Sequence, residues 1–215
     1  MDDKTLTVIF SKDRPLQLDG TLRSLKRHCS DISDVGVRVI YLASSSRMKS
    51  LYRQVMREHP EVVFVSEADF RRDLLLILAE GKHVLFLVDD ALFLRPFSIR
   101  NLADSLDNHP KAIGFSLRLG RNTDYCYALD KPQQIPEFET VADGVLKSVW
   151  TVSEHDFAYP LEVSSSLYRS VDILPLLGKL EFRNPNTLES EMAGHAVQFR
   201  DSHPELLCAT ASLAF

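Results

Sequence analysis

The sequence lacks the short motifs that mark several common classes of nucleotide-binding and nucleic-acid-binding protein. Its eight glycines are scattered along the chain. None of them forms the G-x-x-x-x-G-K or G-x-G-x-x-G loop that holds phosphates in P-loop ATPases and dinucleotide dehydrogenases. Lysine and arginine form no dense cluster, and the net charge is −5. A protein that follows a phosphate backbone needs the opposite charge balance, so we expect no nucleic-acid partner.

Cysteine pairs and long apolar runs are also absent. The three cysteines, Cys29, Cys126 and Cys208, lie far apart and show no C-x-x-C spacing, which favours ordinary reduced thiols over a zinc or redox site. The sequence has no run of about 18 apolar residues, the length that a membrane span requires. Residues 1–4 lack the basic and apolar regions of a signal peptide. These features predict a cytoplasmic protein without a membrane span.

The chain has 215 residues, of which 45% are apolar, and this is enough to bury one large core. Its first half alternates short β-branched runs with longer amphipathic segments, the pattern of parallel strands joined by helices. The predicted strands are 6–10, 37–43, 62–65, 84–88 and 112–117. The predicted helices are 16–28, 46–58, 69–80 and 99–106. We expect Gly81 to end the third helix in a left-handed conformation.

The alternation ends near residue 119, where glycine, proline and aromatic residues become frequent. Strand-like and helix-like patterns indicate a smaller mixed β region there, with strands at 145–151 and 161–168 and helices at 171–177 and 186–196. We predict a single α/β domain with a Rossmann-like, mainly parallel sheet flanked by helices, divided into halves at 1–118 and 119–215. The apolar segment 206–215 either packs against the core or lies just before a natural C-terminus that this sequence does not reach.

Asp89 and Asp90 are the most informative pair in the sequence. They directly follow Val84–Val88, a run of five apolar residues with the composition of a strand buried on both faces. Ligands of open α/β sheets bind beyond the carboxyl ends of the strands. Adjacent carboxylates repel each other, and no cation is adjacent in sequence, so a divalent ion such as Mg²⁺ or Mn²⁺ is expected there. The alternative is a turn or helix cap, with one carboxylate capping and the other solvated.

Two segments carry a family resemblance. Residues 88–93, Val-Asp-Asp-Ala-Leu-Phe, follow a predicted fourth strand, and residues 7–18 combine a first strand with a loop and the start of a leucine-rich helix. In this order they resemble GT-A glycosyltransferases that use nucleotide-diphosphate sugars, in particular family-two-like members. The resemblance covers residues 5–120 and, more loosely, 159–192. Ala91 departs from the commonest form of the motif, an Asp-x-Asp triplet.

This resemblance implies a donor site at the first loop and at the two acids. Asp89 would contact the ribose of the nucleotide, and Asp90 would reach a Mn²⁺ or Mg²⁺ ion that bridges the diphosphate, although the order of these two roles is open. Phe10, Ser11 and Arg14 are donor-binding candidates by their position in the first loop. Arg14 is equally well explained as a solvated loop cation.

Two arginines begin the third predicted helix. Arg71 and Arg72 oppose the helix dipole there, so at least one of them needs a partner or a function. A guanidinium can grip phosphate oxygens with two hydrogen bonds. We predict Arg72 as a further donor-binding residue.

For catalysis, the resemblance implies a carboxylate near the start of a helix beneath the acceptor site. Glu189 is the predicted general base of an inverting reaction, with Glu191 as its substitute. A base at this position removes the proton of the acceptor hydroxyl as that hydroxyl attacks the anomeric carbon. The alternative for Glu189 is structural, because Asn186 and Glu189 have the spacing of a capping box.

Acceptor-binding residues are expected in 150–160, where aromatic and polar side chains mix. Asp156 and Tyr159 are the candidates, because such side chains can stack against sugar rings and bond their hydroxyls. Trp150 is assigned to the core. His195 and His203 are weaker candidates for a late metal ligand, since a lone histidine is usually structural.

These features predict a metal-dependent glycosyltransferase with a nucleotide-diphosphate sugar donor and a carbohydrate or other hydroxyl acceptor. One alternative is a non-catalytic GT-A-like module that binds a nucleotide sugar or a protein partner, which Ala91 keeps open. The other is a sugar nucleotidyltransferase, which would share the sheet and the metal. Those enzymes have a glycine-rich loop after the first strand, and residues 11–15 contain no glycine.

Overall fold

A computed structural model describes residues 5–215 of the chain. Within these residues the α-helices are α1 (Pro15–His28), α2 (Ser46–Glu58), α3 (Phe70–Leu78), α4 (Ile99–Asn108), α5 (Ser170–Leu177) and α6 (Pro185–Gly194). The strands are β1 (Thr5–Lys12), β2 (Gly36–Leu42), β3 (Val63–Ser66), β4 (His83–Val88), β5 (Ala112–Ser116), β6 (Tyr125–Cys126), β7 (Lys131–Pro132), β8 (Glu139–Ala142), β9 (Val145–Val149), β10 (Ser165–Arg169) and β11 (Glu205–Ala209).

One mixed sheet of nine strands organises these elements, in the order β3-β2-β1-β4-β10-β5-β11-β9-β8. β1 is parallel to β2 on one side and to β4 on the other. The chain therefore reverses its direction of progress across the sheet between β1 and β4, which is where open α/β sheets form their ligand crevice. The predicted α/β fold, a mainly parallel sheet flanked by helices, is confirmed.

The side chains of β1 divide the core between the two faces of the sheet. Leu6, Val8 and Phe10 pack in one cluster with residues of α3, α5 and α6, whereas Ile9 packs in a second cluster with residues of α1, α2 and α4. Successive side chains of a strand point to opposite faces, so both faces are covered by helices. The ends of the strands are left as the place where polar side chains can meet a ligand.

Side-chain caps define where several helices begin. Ser45, Asp69 and Ser98 each accept a hydrogen bond from a main-chain N–H in the first turn of the following helix. Each such cap contributes about 1 kcal/mol. The prediction for Gly81 was wrong, because the only positive-φ glycine within residues 5–215 is Gly144. The end of α3 instead forms tighter turns, because the N–H groups of residues 80 and 81 each donate a hydrogen bond to the carbonyl three residues earlier.

The second half of the chain continues the same sheet. β10 lies between β4 and β5, and β8, β9 and β11 extend the far edge. The predicted strand 161–168 is confirmed for residues 165–168, which belong to β10, whereas Leu161 and Val163 are buried in the loop before it. Trp150 is a core residue as predicted, and its Nε1–H donates to the His203 carbonyl at 2.7 Å. Segment 206–215 packs against the core through β11.

The helices of the described residues are short. Among those within residues 5–215, none combines the length and the apolar character that a transmembrane span requires. The longest of them, α1, has 14 residues, whereas a span needs about 20.

We expect Gly120→Ala to destabilise the protein. A Cβ at Gly120 would lie 2.7 Å from the main chain of Ala211 and Ser212, and main-chain atoms cannot move aside as a flexible side chain does. The expected cost is about 1–3 kcal/mol, as for other overpacked sites. Chemical denaturation measures it.

Gly194→Ala is the matched control, because a Cβ at Gly194 meets nothing within 4 Å. This control should leave stability unchanged or raise it by up to about 1 kcal/mol, because alanine is a better helix former than glycine at an exposed position of α6. Equal stability of the two variants would contradict the close approach at Gly120.

Candidate active site

The loops after β1 and β4 meet at the carboxyl edge of the sheet. The two strands are parallel neighbours, with Phe10 paired with Val88, so the residues that follow each strand are also neighbours. Arg14 comes from the loop after β1, and Asp89 and Asp90 come directly after β4. Predicted donor-binding residues that are far apart in sequence therefore lie side by side.

Arg14 bridges the two acids. Its Nη1 lies 3.2 Å from Asp89 Oδ1, and its Nη2 lies 2.8 Å from Asp90 Oδ2. The sequence has no cation beside the acids, but the pairing of β1 with β4 supplies one from 76 positions away. The hydrogen bond to Asp90 raises the pKa of Arg14, so this guanidinium is charged. Arg14 is therefore not simply a solvated loop cation.

The two acids have different surroundings. Asp89 is 4% exposed, whereas the Asp90 side chain is 48% exposed. Burial raises the pKa of Asp89, although a hydrogen bond from Ser11 and nearby positive charge oppose this rise. Thr21 Oγ1–H donates to the Asp89 carbonyl at 2.8 Å and so fixes the loop to α1. The next helix is capped by Ser98, which removes the alternative that one of the acids caps it.

A cleft of about 440 Å³ opens beside the acids. We name it the first cleft. Its lining joins the ends of β1, β2 and β4 to the start of α6, and it includes the predicted donor-binding residues Phe10, Ser11, Arg14 and Asp89. Its charged lining residues are Lys12, Arg14, Glu67, Asp89, Asp90 and Arg183. A larger groove of about 640 Å³ follows β9 and segment 134–139, and none of the predicted site residues lines it.

The loop after β1 is held by α2. Tyr52 Oη lies 2.6 Å from Ser11 Oγ and accepts a hydrogen bond from the Arg14 N–H at 3.3 Å. Asp13 has a positive φ of 55°, and its carboxylate accepts from the Ser44 N–H at 2.8 Å. Left-handed non-glycine residues are uncommon and concentrate at functional sites. The sequence pattern did not reveal Tyr52, because it occupies an apolar position of an amphipathic helix.

Arg72 does not line the first cleft. Its guanidinium lies 3.2 Å from Asp73 on the surface of α3, and 62% of its side chain is exposed. Arg71 has a structural partner, because it donates to two main-chain carbonyls after α5 at 2.8 Å each. The second half of the chain contributes Arg183 to the cleft lining, and the sequence pattern did not single out this residue. This arrangement gives no support to Arg72 as a donor-binding residue.

The N-terminus of α6 is capped by Asn184 and not by Asn186. Asn184 Oδ1 accepts from the Thr187 N–H at 2.9 Å, and Thr187 Oγ1 accepts from the Asn184 N–H at 3.1 Å. The capping box that was the alternative role for Asn186 and Glu189 therefore does not form, and the cap leaves the Glu189 carboxylate free for other contacts. Asn186 lines the first cleft, and residues three apart share a helix face. Glu189 thus lies one turn behind the cleft lining.

Glu189 holds a partly buried carboxylate between two loops. Its Oε2 accepts from the Val163 N–H at 3.0 Å and its Oε1 from the Tyr159 hydroxyl at 3.4 Å. Burial raises the pKa of Glu189, and the charge of Glu162 adds to this rise while Arg118 opposes it. Burial beside Glu189 also raises the pKa of Tyr159 to about 12, so this hydroxyl remains a donor. A carboxylate with a raised pKa is suited to accept a proton.

Arg118 and Asp156 form an ion pair of 3.0 Å. Although burial opposes it, the charges of Glu162 and Asp156 raise the pKa of Arg118. Asp156 is also fixed by Gln133, which accepts from its N–H at 3.1 Å and donates to its carboxylate at 3.2 Å. The preceding residue, His155, has a positive φ of 51°. The sequence pattern did not point to Arg118, although this residue follows β5 closely, much as the acids follow β4.

The remaining candidates lie elsewhere. Glu191 is two residues beyond Glu189 and therefore on a different helix face, and its carbonyl accepts from His195 Nδ1 at 2.8 Å. His203 Nε2 lies 3.7 Å from Asp172. None of these residues lines the first cleft.

Asp89 and Asp90 can hold a divalent ion only if a bound ligand supplies further oxygen atoms. Within residues 5–215 there is no group of three or more acidic, histidine or cysteine side chains that could enclose a metal. Mg²⁺ in particular is usually bound through one or two carboxylates together with substrate phosphates. The half-exposed Asp90, beside an open cleft, meets that requirement. Arg14 would have to yield part of its contact with the acids to such an ion.

One curated relative shares sequence with this chain. The bifunctional glycosyltransferase pgtA of Dictyostelium discoideum is 27% identical over 183 residues. This similarity covers 77% of the present chain and 24% of pgtA, so the chain corresponds to a minor part of that protein. No protein-family model matches the chain.

Solved glycosyltransferase structures share the fold. TarS of S. aureus in complex with UDP superposes with a TM-score of 0.60 at 15% identity, covering 98% of this chain and 59% of TarS. The mannosyltransferase PcManGT of Pyrobaculum calidifontis, in complex with GDP-Man and Mn²⁺, gives 0.57 at 13% identity, covering 94% and 53%. GalNAc-T7 with UDP, GalNAc and Mn²⁺ gives 0.60 at 8% identity, covering 98% and 42%. The chain has the GT-A fold, and the predicted resemblance is confirmed.

We expect Glu189→Gln to change how stability depends on pH. The pKa of Glu189 is raised in the folded state, so its contribution is fully present below the unfolded-state pKa, about 4.3. It is lost as pH rises through the folded-state pKa. The variant should therefore gain stability relative to the wild type between pH 4 and neutral pH, measured by urea denaturation across a pH series.

Glu181→Gln is the control, because Glu181 is an exposed carboxylate on the segment before α6. It should change the unfolding free energy by less than about 0.5 kcal/mol, as other exposed substitutions do. A stability difference between wild type and Glu189→Gln that stays constant with pH would show that burial does not perturb Glu189.

Proposed function

We propose that this chain is a GT-A glycosyltransferase domain that transfers a sugar, with inversion, from a nucleoside-diphosphate donor to a hydroxyl acceptor. The observation that carries the proposal is the meeting of Asp89, Asp90 and Arg14 with the start of α6 at one cleft. The curated relative is itself a glycosyltransferase, and structural neighbours were solved with UDP or GDP-Man.

The first cleft has separate surfaces for the parts of a donor. Phe10, Ile40 and Phe70 give it an apolar wall, which suits the flat base of a nucleotide. Ser11 and Asp89 offer a hydroxyl and a carboxylate to the ribose. This part of the cleft is preorganised, because Arg14 contacts the Asp89 carboxylate, Thr21 of α1 holds the Asp89 carbonyl and Tyr52 of α2 holds the Ser11 hydroxyl.

The diphosphate of the donor requires positive charge. Lys12, Arg14 and Arg183 line the cleft, and guanidinium groups bind phosphate oxygens with matched geometry. The N-terminus of α6 adds the positive end of a helix dipole and is itself part of the lining. Asp90, with Asp89 beside it, would hold Mn²⁺ or Mg²⁺. When bound, such an ion offsets the negative charge that builds on the departing diphosphate.

Glu189 is the proposed general base. Its carboxylate takes the proton of the acceptor hydroxyl while the acceptor oxygen forms a bond to the anomeric carbon. The bond from that carbon to the diphosphate breaks with its electron pair leaving on the phosphate oxygen. Tyr159 and the Val163 N–H hold the carboxylate in one orientation. Glu191 is the alternative base, on another face of α6.

The acceptor is proposed to bind beside Glu189, so that its attacking hydroxyl reaches both the Glu189 carboxylate and the anomeric carbon of the donor. Asp156 accepts hydrogen bonds from its hydroxyls, and Tyr159 contributes a hydroxyl next to the base. Arg118 fixes the Asp156 carboxylate at 3.0 Å, which removes rotational freedom before the acceptor arrives.

A binding module without turnover is the second candidate. The contact of Arg14 with both acids favours it, because an internal cation can replace the metal. Turnover distinguishes the two candidates, since only the enzyme releases a free nucleoside diphosphate.

We expect the protein to release nucleoside diphosphate from a UDP- or GDP-sugar in the presence of Mn²⁺, and Asp90→Ala to lose this activity. A metal contributes several kcal/mol to the stabilisation of the transition state, so release should fall by roughly 10²-fold or more. Chromatography of the nucleotide products measures it.

Asp143→Ala, at an exposed acid in the β8–β9 turn, is the control and should retain full release. Metal-dependent binding of the donor without release from any sugar nucleotide would favour the binding module instead.

We expect Glu189→Gln to slow acceptor-dependent release by about 10²–10⁴-fold, the usual contribution of a general base. Donor binding should persist, because Glu189 lies behind the cleft lining. Release is measured with and without a panel of methyl glycosides as acceptors. Glu191→Gln should retain most of the activity, and the reverse ranking of the two variants would transfer the role of base to Glu191.

A further inference from the structure

A second cavity of about 360 Å³ is lined in part by Arg118 and Asp156. We name it the second cavity. Its lining includes Arg118, Asn122, Tyr125, Tyr127, Asp156 and Phe215. It shares no lining residue with the first cleft, so it can hold a second molecule while a donor is bound.

The wall of the second cavity is aromatic and exposed. Tyr127 is 75% exposed and Phe215 is 76% exposed. The ring of Tyr127 packs edge-on against Tyr125, with centroids 5.1 Å apart, and against Phe215 at 6.2 Å. Burial in the core does not account for these rings. An exposed aromatic patch that borders a cavity is typical of a ligand-binding surface.

The hairpin that carries these tyrosines is held in place. The Tyr125 hydroxyl donates to Asp130 at 2.6 Å, and Asp130 turns the chain with a positive φ of 51°. β6 and β7 pair across this turn. The face of Tyr127 is therefore presented by a fixed hairpin rather than by a free loop.

The floor of the second cavity is polar. Arg118 offers N–H donors, and Asp156 offers carboxylate oxygens. On the rim, Asn122 and Ser212 exchange two hydrogen bonds of 2.7 and 2.9 Å. A flat apolar ring above converging donors and acceptors matches a pyranose, which has a C–H face and a rim of hydroxyls. A peptide or lipid hydroxyl would use only part of this surface.

Two lining residues connect the second cavity with the proposed centre. Phe215 exchanges two main-chain hydrogen bonds of 2.8 Å with Leu92, which lies two residues beyond Asp90. Arg118 acts electrostatically on Glu189. Lining residues of the second cavity therefore contact the loop that follows the acids and act on the charge of the proposed base.

We propose that the second cavity binds a pyranose ring of a carbohydrate acceptor, with the ring stacked on Tyr127 and its hydroxyls bonded by Asp156 and Arg118. The proposal rests on the proposed glycosyltransferase function and narrows its acceptor to a carbohydrate. Tyr127 is the residue that determines this preference.

Direct binding tests the proposal without turnover. Saturation-transfer NMR with the methyl glycosides of glucose, galactose, mannose and N-acetylglucosamine should detect at least one that binds the wild type. Tyr127→Ala should weaken that binding by about tenfold or more, and Tyr127→Phe, which keeps the ring, should restore it. Leu129→Ala is the control, because Leu129 is exposed on the same turn and does not line the cavity. It should bind like the wild type.

The proposal is overturned if no glycoside binds the wild type, or if Tyr127→Ala binds as well as Leu129→Ala. The melting temperature of each variant reports whether it is folded. A Mn²⁺-dependent shift of that temperature by UDP or GDP reports separately on the first cleft. Glycoside binding through Tyr127, without release of nucleoside diphosphate from any sugar nucleotide, would contradict the proposed function but support the carbohydrate site.

Discussion

The contact of Arg14 with Asp89 and Asp90 is the interaction on which the rest of the site depends. Two adjacent carboxylates at the end of a buried strand need a nearby positive charge, and the parallel pairing of β1 with β4 supplies it. The same contact orients the loop after β1 and leaves Asp90 half exposed at the mouth of a cleft. The acids are thus stabilised in the absence of ligand while one of them remains available to a cation that a diphosphate would bring.

The proposed chemistry follows a continuous path through the second half of the chain. α6 begins in the lining of the first cleft and carries Glu189 one turn further along the same face. The carboxylate of Glu189 is surrounded by the Tyr159 hydroxyl and the charges of Arg118 and Glu162. Arg118 and its partner Asp156 then line the second cavity. An in-line displacement requires the acceptor oxygen, the anomeric carbon and the departing phosphate oxygen to lie in line, with the base beside the acceptor oxygen.

Sequence patterns predicted the first half of the fold because local and global signals agree there. The bounds of α2 and the acids after β4 both follow from apolar periodicity with a polar stop. The pattern could not reveal the partner of the acids, since Arg14 meets them only through strand pairing. It also offered the wrong cap for α6, because Asn184 with Thr187 and Asn186 with Glu189 are two possible capping registers two residues apart. The buried loop at Leu161 imitated a strand, since burial alone produces an apolar run.

Crystals grown with Mn²⁺ and either UDP or GDP would show whether Asp89, Asp90 and Arg14 form the donor site. We expect an anomalous manganese peak beside the Asp90 carboxylate and the bound diphosphate, with the guanidinium of Arg14 turned away from Asp90 and towards a phosphate. Nucleotide bound outside the first cleft, or manganese found elsewhere while Arg14 still bridges both acids, would contradict this expectation.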